Sequence, residues 1–147
     1  MIKNSKKLLP CFLAFFMILL TFSLTSCGEK EIVPDYSKID IGISSYMYRE
    51  PRHHEHLVEY LTEYVDYVRE YEDRIQVSIS GEELSEDYFD GFPNVIRDKK
   101  SNYWVFYVLL SDIDEAGVEV FAEYLEKLSA NQSIKGISLY YILALDE

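Results

Sequence analysis

The sequence YWVFYVLL, at Tyr103–Leu110, is apolar or aromatic at every position. A strand that faces solvent on one side alternates apolar and polar residues, whereas an unbroken apolar run indicates a strand covered on both faces. Tyr103–Leu110 is therefore predicted to be a central strand, around which the other elements assemble.

Three further segments are predicted to be strands. Two of them alternate apolar with polar or small residues, a period of two that is typical of half-buried strands: Ile39, Ile41 and Ile43 in the first, and Ile75, Val77 and Ile79 in the second. The third, Ile137–Leu145, is the last strand of the chain. Val95–Asp98 is a possible short strand that turns at Lys99–Asn102.

Two segments have helical periodicity. From about His54 to Asp73, an aliphatic stripe of four residues recurs at helical spacing: Leu57, Leu61, Val65 and Val68. A second helix is predicted from Asp112 to Asn131, because Asp112 and Glu115 have the spacing of a capping box.

The element order strand, helix, strand, strand, helix, strand predicts an α+β fold. We expect an antiparallel four-stranded sheet with two helices on one face, the ferredoxin-like arrangement. This single domain is predicted to span residues 39–147, with an insertion at about 81–102. A chain of 147 residues has room for one such domain and little more.

The N-terminus has the pattern of an export signal. Three lysines precede an apolar run from Leu8 to Leu24, and no acidic residue occurs before Cys27. The sequence Leu24-Thr25-Ser26-Cys27 resembles the lipobox of bacterial lipoproteins. The resemblance implies that residues 1–26 are a signal peptide, that Cys27 carries a covalent lipid such as palmitate, and that residues 27–38 form a tether. It places the protein on the cell membrane or outer membrane, outside the cytoplasm.

Removal of the leader makes the chain more acidic. Residues 27–147 carry 11 basic and 26 acidic side chains, so the formal charge of −12 becomes −15. Such a charge repels phosphate backbones and argues against nucleic-acid binding. With Cys11 lost and Cys27 lipidated, no thiol remains for a disulfide bond.

The first predicted helix separates its acidic and aromatic residues. An acidic ridge and a tyrosine strip run along it with the same spacing: Glu59, Glu63, Asp66 and Glu70 in the ridge, and Tyr60, Tyr64, Tyr67 and Tyr71 in the strip. The strip is either the edge of the core, with its hydroxyl groups exposed to solvent, or a surface that binds a cationic protein partner.

All three histidines of the chain lie in one short run, His53-His54-Glu55-His56. Imidazole binds zinc, copper and nickel, so His53, His54 and His56 are a candidate metal site. Three histidines within four residues do not all reach one ion without unwinding the turn, and a solvated first turn of helix is the other interpretation.

The sheet face opposite the helices is a third candidate surface. We expect it to carry Ser44, Tyr46, Gln76, Ser78, Ser138 and Tyr140, together with either Tyr103, Val105 and Tyr107 or Trp104, Phe106 and Val108. It is expected to bind a ligand, to pair with a second copy as a homodimer, or to be covered by the 81–102 insertion.

No catalytic pattern is recognisable in the sequence. It contains no G-x-S-x-G, P-loop or G-x-G-x-x-G motif, so no catalytic residue and no cofactor is predicted. The expected function is a membrane-anchored, non-enzymatic module that binds or regulates a basic protein. The alternative is a lipoprotein that binds or senses a metal through His53, His54 and His56.

Overall fold

A computed structural model describes residues 32–42 and 48–141. The predicted signal peptide, Cys27, Ile43, Ser44 and Tyr46 lie outside these residues. Among the residues described, no helix combines the length and the apolar character needed to cross a membrane.

The domain is built from a six-stranded sheet and three helices. The strands are β1 (Ile39–Gly42), β2 (Tyr48–Arg49), β3 (Arg74–Gly81), β4 (Ile96–Lys99), β5 (Tyr103–Leu109) and β6 (Ile134–Tyr140). The helices are α1 (His54–Arg69), α2 (Leu110–Ala116) and α3 (Val118–Ser129), and a 3-10 turn at Tyr36–Lys38 precedes β1.

The sheet is mixed, and the predicted antiparallel four-stranded fold is wrong. The spatial order is β2-β1-β6-β3-β5-β4, in which β1 and β6 are parallel and the other neighbours are antiparallel. The long β6 lies between β1 and β3 and pairs with both. The sheet is extended at one edge by β2, which was not predicted, and at the other by β4, which overlaps the predicted short strand Val95–Asp98.

The register assigns each strand residue to one face. Ile75, Val77 and Ile79 pair with Val108, Phe106 and Trp104, and these residues face the helices. The core lies on this side, where α1 contributes Leu57, Leu61, Val65 and Val68, and α3 contributes Phe121, Ala122 and Leu125. Tyr103, Val105 and Tyr107 therefore lie on the opposite face.

The second predicted helix is two helices with an earlier start. Leu110 begins α2 directly after β5, so Asp112 lies inside the first turn and not at the capping position. Gly117 separates α2 from α3, because its φ of 91° is a conformation that side chains with a Cβ rarely adopt. The Asp112 carboxylate instead accepts hydrogen bonds from the backbone N and the Nδ2 of Asn94, at 3.3 and 3.0 Å.

The loop between β3 and β4 covers the helix side of the sheet. Phe89 and Phe92 are 0% and 3% exposed and join the core. The Phe89 ring lies 5.0 Å from Phe106 and 6.1 Å from Phe121, measured between ring centroids. The expectation that this insertion covers the opposite face is therefore not met.

Candidate functional site

The acidic ridge of α1 is partly neutralised by arginines of the same chain. All four members are exposed. Glu63 forms an ion pair with Arg49 at 2.5 Å, and Asp66 forms one with Arg69 at 2.8 Å. Arg69 also contacts Asp114. Glu59 and Glu70 have no ion-pair partner within residues 32–42 and 48–141. Only these two of the four acidic side chains are therefore not balanced by a nearby arginine.

The tyrosine strip divides into three environments. Tyr64 is 1% exposed and belongs to the core. Tyr60 is half-buried, with the Arg49 guanidinium 5.0 Å above its ring and the His56 ring 5.7 Å away. Tyr67 is half-buried and Tyr71, just beyond α1, is 49% exposed.

Tyr67 and Tyr71 form a cluster with Tyr141, the residue that follows β6. The ring centroids are 5.3 Å apart for Tyr67 and Tyr71, 5.9 Å for Tyr67 and Tyr141, and 6.0 Å for Tyr71 and Tyr141. The cluster forms where α1 ends, β3 begins and β6 ends. Distant parts of the sequence are thereby brought together at one end of the sheet.

A cleft of about 440 Å³ opens beside this cluster. We call it the tyrosine cleft, and it is lined by Tyr64, Glu72, Arg74, Ile75, Gln76, Tyr107, Tyr140 and Tyr141. Four of these eight residues are tyrosines, contributed by α1, β5 and the end of β6. Rigid aromatic walls of this kind bury large apolar area while leaving hydroxyl groups for hydrogen bonds.

The charge of the tyrosine cleft is set by Glu72. The Arg74 guanidinium donates two hydrogen bonds to the Asp73 carboxylate, at 2.7 and 3.1 Å. The hydrogen bonds between these two side chains raise the pKa of Arg74 and lower the pKa of Asp73. Arg74 is thus neutralised by its neighbour, while Glu72 has no ion-pair partner in the described part of the chain.

The tyrosines respond to burial and to this negative charge. Burial raises the pKa of Tyr141, and the nearby charge of Glu72 raises it further. Burial likewise raises the pKa of Tyr64 and of Tyr67. The cleft therefore offers electron-rich ring faces beside one unbalanced carboxylate. Such an arrangement suits a cationic side chain.

The three histidines do not converge. The His53 and His56 rings stack with centroids 3.7 Å apart and an angle of 29° between their planes. His54 turns away to Glu126, with 2.8 Å between its Nδ1 and Oε1 of Glu126. The described residues contain no group of three or more histidines, cysteines or carboxylates arranged around a metal position. The His56 Nδ1 is buried without a hydrogen-bond partner among the described residues, and metal binding through these histidines stays a prediction.

The sheet face opposite the helices carries several exposed aromatic side chains. Tyr48, Tyr103 and Tyr140 are 53%, 40% and 38% exposed, beside half-buried Ser78 and Ser138. Use of this face by a homodimer stays a prediction. Tyr140 and Tyr107 connect it to the tyrosine cleft.

Five of the eight residues that line the tyrosine cleft were predicted from the sequence, but as parts of separate surfaces and elements. Tyr64 belonged to the tyrosine strip of α1, Ile75 to a strand, and Gln76, Tyr107 and Tyr140 to candidate sheet faces. Glu72, Arg74 and Tyr141 were given no role, because they lie at element ends where periodicity carries no information. The run Tyr71-Glu72-Asp73-Arg74, between a helix and a strand, was the available signal.

Comparison of the chain with protein-family models, curated proteins and solved structures gave no significant match.

Proposed function

We propose that the protein is a membrane-anchored bacterial envelope lipoprotein that binds a basic protein partner without catalysing a reaction. The tyrosine cleft receives a lysine or arginine side chain of that partner. The observation that carries the proposal is the neutralisation of Arg74 by Asp73, which leaves Glu72 as the unbalanced charge of a cleft with four tyrosines. The formal charge of −15 on residues 27–147 supports the same partner chemistry.

The position of the cleft also supports this function. The described chain enters the sheet at Ile39, at the opposite end of the strands from Arg74 and Tyr140. β3 has eight residues, so the two ends are about 25 Å apart. A lipid on Cys27 would hold the first end near the membrane and leave the tyrosine cleft accessible to a partner.

Peptide binding tests the proposal. The probe is a short arginine-containing peptide, compared with the same peptide carrying neutral citrulline. We expect Glu72→Gln to raise the Kd for the arginine peptide by about fivefold or more, because a cation loses its carboxylate beside the ring faces. Calorimetric titration measures both constants.

The matched control is Glu82→Gln, which removes one exposed carboxylate at the other end of the sheet. It should leave the Kd almost unchanged. An equal loss of affinity in both variants would mean that the overall charge of the protein attracts the peptide. Equal affinity for the arginine and citrulline peptides would contradict recognition of the cation.

The acidic ridge has a separate, weaker part in this proposal. Glu59 and Glu70 attract a basic partner over a distance, whereas Glu63 and Asp66 are held by Arg49 and Arg69. The substitutions Glu59→Lys and Glu70→Lys together are expected to lower the association rate constant of the arginine peptide and to leave its dissociation rate constant unchanged. An unchanged association rate constant at low salt would mean that the ridge has no part in binding.

A further inference from the structure

One row of residues defines the middle of the sheet face opposite the helices, which we call the open face. Asp40 pairs with Ser138, Ser138 with Ser78, Ser78 with Val105, and Val105 with Asp98. Residues two positions apart in a strand share a face, so tyrosines flank this row. They are Tyr103, Tyr107 and Tyr140 in the strands of the row, and Tyr48, which pairs with Gly42.

The open face is aromatic and poor in charge, although the domain is strongly acidic. The row and its flanking tyrosines include two charged side chains, Asp40 and Asp98, and Asp98 is paired with Lys100. The Tyr140 ring lies against Gly42, where an added Cβ would be 2.4 Å from the Tyr140 Cδ2. The centre of a protein interface is depleted in charge and enriched in tyrosine. The open face therefore has the composition of an interface centre.

The open face is continuous with the tyrosine cleft. Four of the eight residues that line the cleft lie on this face by register: Arg74, Gln76, Tyr107 and Tyr140. A protein whose cationic side chain enters the cleft therefore also meets the open face.

The tyrosine cleft alone is too small to hold a protein. Its volume of about 440 Å³ accommodates one side chain, whereas a specific interface buries about 800 Å² on each partner. The six strands cover about 500 Å² in projection, at about 3.3 Å per residue and about 4.8 Å per strand. The open face is thus large enough to supply most of the remaining contact area.

Carboxylates without an ion-pair partner among the described residues lie around the open face. Asp40 is half-buried on the face itself, and three exposed carboxylates follow or precede its strands: Glu50, Glu72 and Glu82. Glu50 follows β2, Glu72 precedes β3, and Glu82 follows β3. The border of the open face is therefore acidic on several sides.

Fewer cations are free to balance these carboxylates. Five basic residues of the strands and their turns are paired with a carboxylate or lie on the helix side by register: Arg49, Arg74, Arg97, Lys99 and Lys100. Arg52 and Lys135, near the border, are exposed and unpaired within residues 32–42 and 48–141. The carboxylates remain in excess, so the border attracts a basic surface, whereas a second copy with the same charge of −15 is repelled.

We propose that the open face is the larger part of the interface with the basic partner, and that the tyrosine cleft holds one cationic side chain at the edge of this interface. The inference rests on the proposed function, because it takes the same partner. It adds that the partner is a protein with a flat surface beside its cationic side chain, since the open face is a sheet with few charged side chains.

Photocrosslinking of the full-length chain, in the bacterium that makes it, tests this inference. Benzoylphenylalanine replaces one residue at a time: Tyr71 beside the cleft, Tyr103 on the open face, or Val120 on α3 as the control. Tyr103 and Val120 are 40% and 39% exposed, so the probe is equally accessible at both positions. We expect the positions of Tyr71 and Tyr103 to form adducts with the same basic protein, identified by mass spectrometry, and the position of Val120 to form none.

A charge in the middle of the open face gives a second test. Ser78→Arg should lower the adduct yield at the position of Tyr71 by at least about tenfold, because the added cation meets a basic surface. Val120→Arg adds the same charge on α3 and should leave the yield within about twofold. Circular dichroism verifies that the variants are folded, and Ser80→Arg, at an exposed position of the same face, replaces Ser78→Arg if the latter is not.

Three results would overturn the inference. A basic protein captured at the position of Tyr71 and not at that of Tyr103 would leave the proposed function intact and remove the open face from the interface. An adduct of twice the chain mass at the position of Tyr103 would mean that a second copy covers this face. Equal yields in Ser78→Arg and Val120→Arg would mean that the partner does not contact it. Absence of a basic protein at the position of Tyr71 would instead contradict the proposed function itself.

Discussion

A shared carboxylate joins Tyr36, a residue of the predicted tether, to the start of α1. Glu126 accepts a hydrogen bond from the Tyr36 hydroxyl at 2.6 Å and contacts the His54 Nδ1 at 2.8 Å. Burial and the bond to Glu126 raise the pKa of Tyr36 to about 12. Nearby, the buried Ser129 hydroxyl accepts a hydrogen bond from the Asp35 backbone at 3.0 Å. These contacts fix the point at which the chain enters the domain.

His54 should make stability depend on pH. The hydrogen bond to Glu126 raises the His54 pKa, so its stabilising effect is complete below the unfolded pKa of about 6.5 and disappears as pH rises through the folded pKa. The effect is less than about 1 kcal/mol, because the His54 side chain is 43% exposed. Urea unfolding between pH 5.5 and 8.5, a range around the unfolded histidine pKa, measures the free energy of unfolding as a function of pH.

His54→Gln should flatten this part of the pH profile, since glutamine does not titrate. The matched control is His53→Gln, which removes a histidine whose side chain contacts the exposed Glu55 and the His56 ring. A profile unchanged by His54→Gln would mean that the Glu126 contact does not contribute to stability.

Most elements were predictable from local sequence, and their ends were not. The alternation of apolar and polar residues predicted β1 and β3, and the helical spacing of apolar residues predicted α1 and most of α3. The predicted start of the second helix was wrong because Asp112 has the residue type of a cap but accepts a hydrogen bond from Asn94, 18 positions away. The two-residue β2 has no periodicity to detect, and it exists through its pairing with Ile41 and Gly42.

The loop between β3 and β4 should contribute as much stability as a regular element. Phe89→Ala is expected to lower the free energy of unfolding by about 3–5 kcal/mol, because the side chain is fully buried among aromatic rings. Urea unfolding monitored by Trp104 fluorescence measures the change. Val120→Ala is the control, since Val120 is 39% exposed, and it should cost less than about 0.5 kcal/mol. A loss below about 1 kcal/mol for Phe89→Ala would contradict the packing of this loop.

At the scale of the whole molecule, the order of the strands in the sheet is where the prediction differs from the structure. Segments of the predicted sheet were right in type, but the parallel pairing of β1 with β6 joins residues nearly 100 positions apart. Local periodicity does not encode such a pairing. The tyrosine cleft depends on the same topology, since Tyr141 reaches Tyr71 only because β6 ends beside the start of β3.

The fold also gives the two ends of the domain different chemistry. The end at which the described chain enters β1 carries Lys99, Lys100 and Trp104, and the other end carries the tyrosine cluster with the unbalanced Glu72. The net charge of −15 on residues 27–147 conceals this separation.

Nuclear magnetic resonance of the tyrosine rings tests the central claim most directly. The chain has 13 tyrosines, and selective labelling follows each ring during titration with the arginine-containing peptide. We predict that the shifts concentrate on Tyr64, Tyr107, Tyr140 and Tyr141, which line the cleft, and on the adjacent Tyr67 and Tyr71, and that Glu72→Gln reduces them. Shifts centred on Tyr36, Tyr88 or Tyr103, or spread evenly over all the rings, would contradict the tyrosine cleft as the binding site.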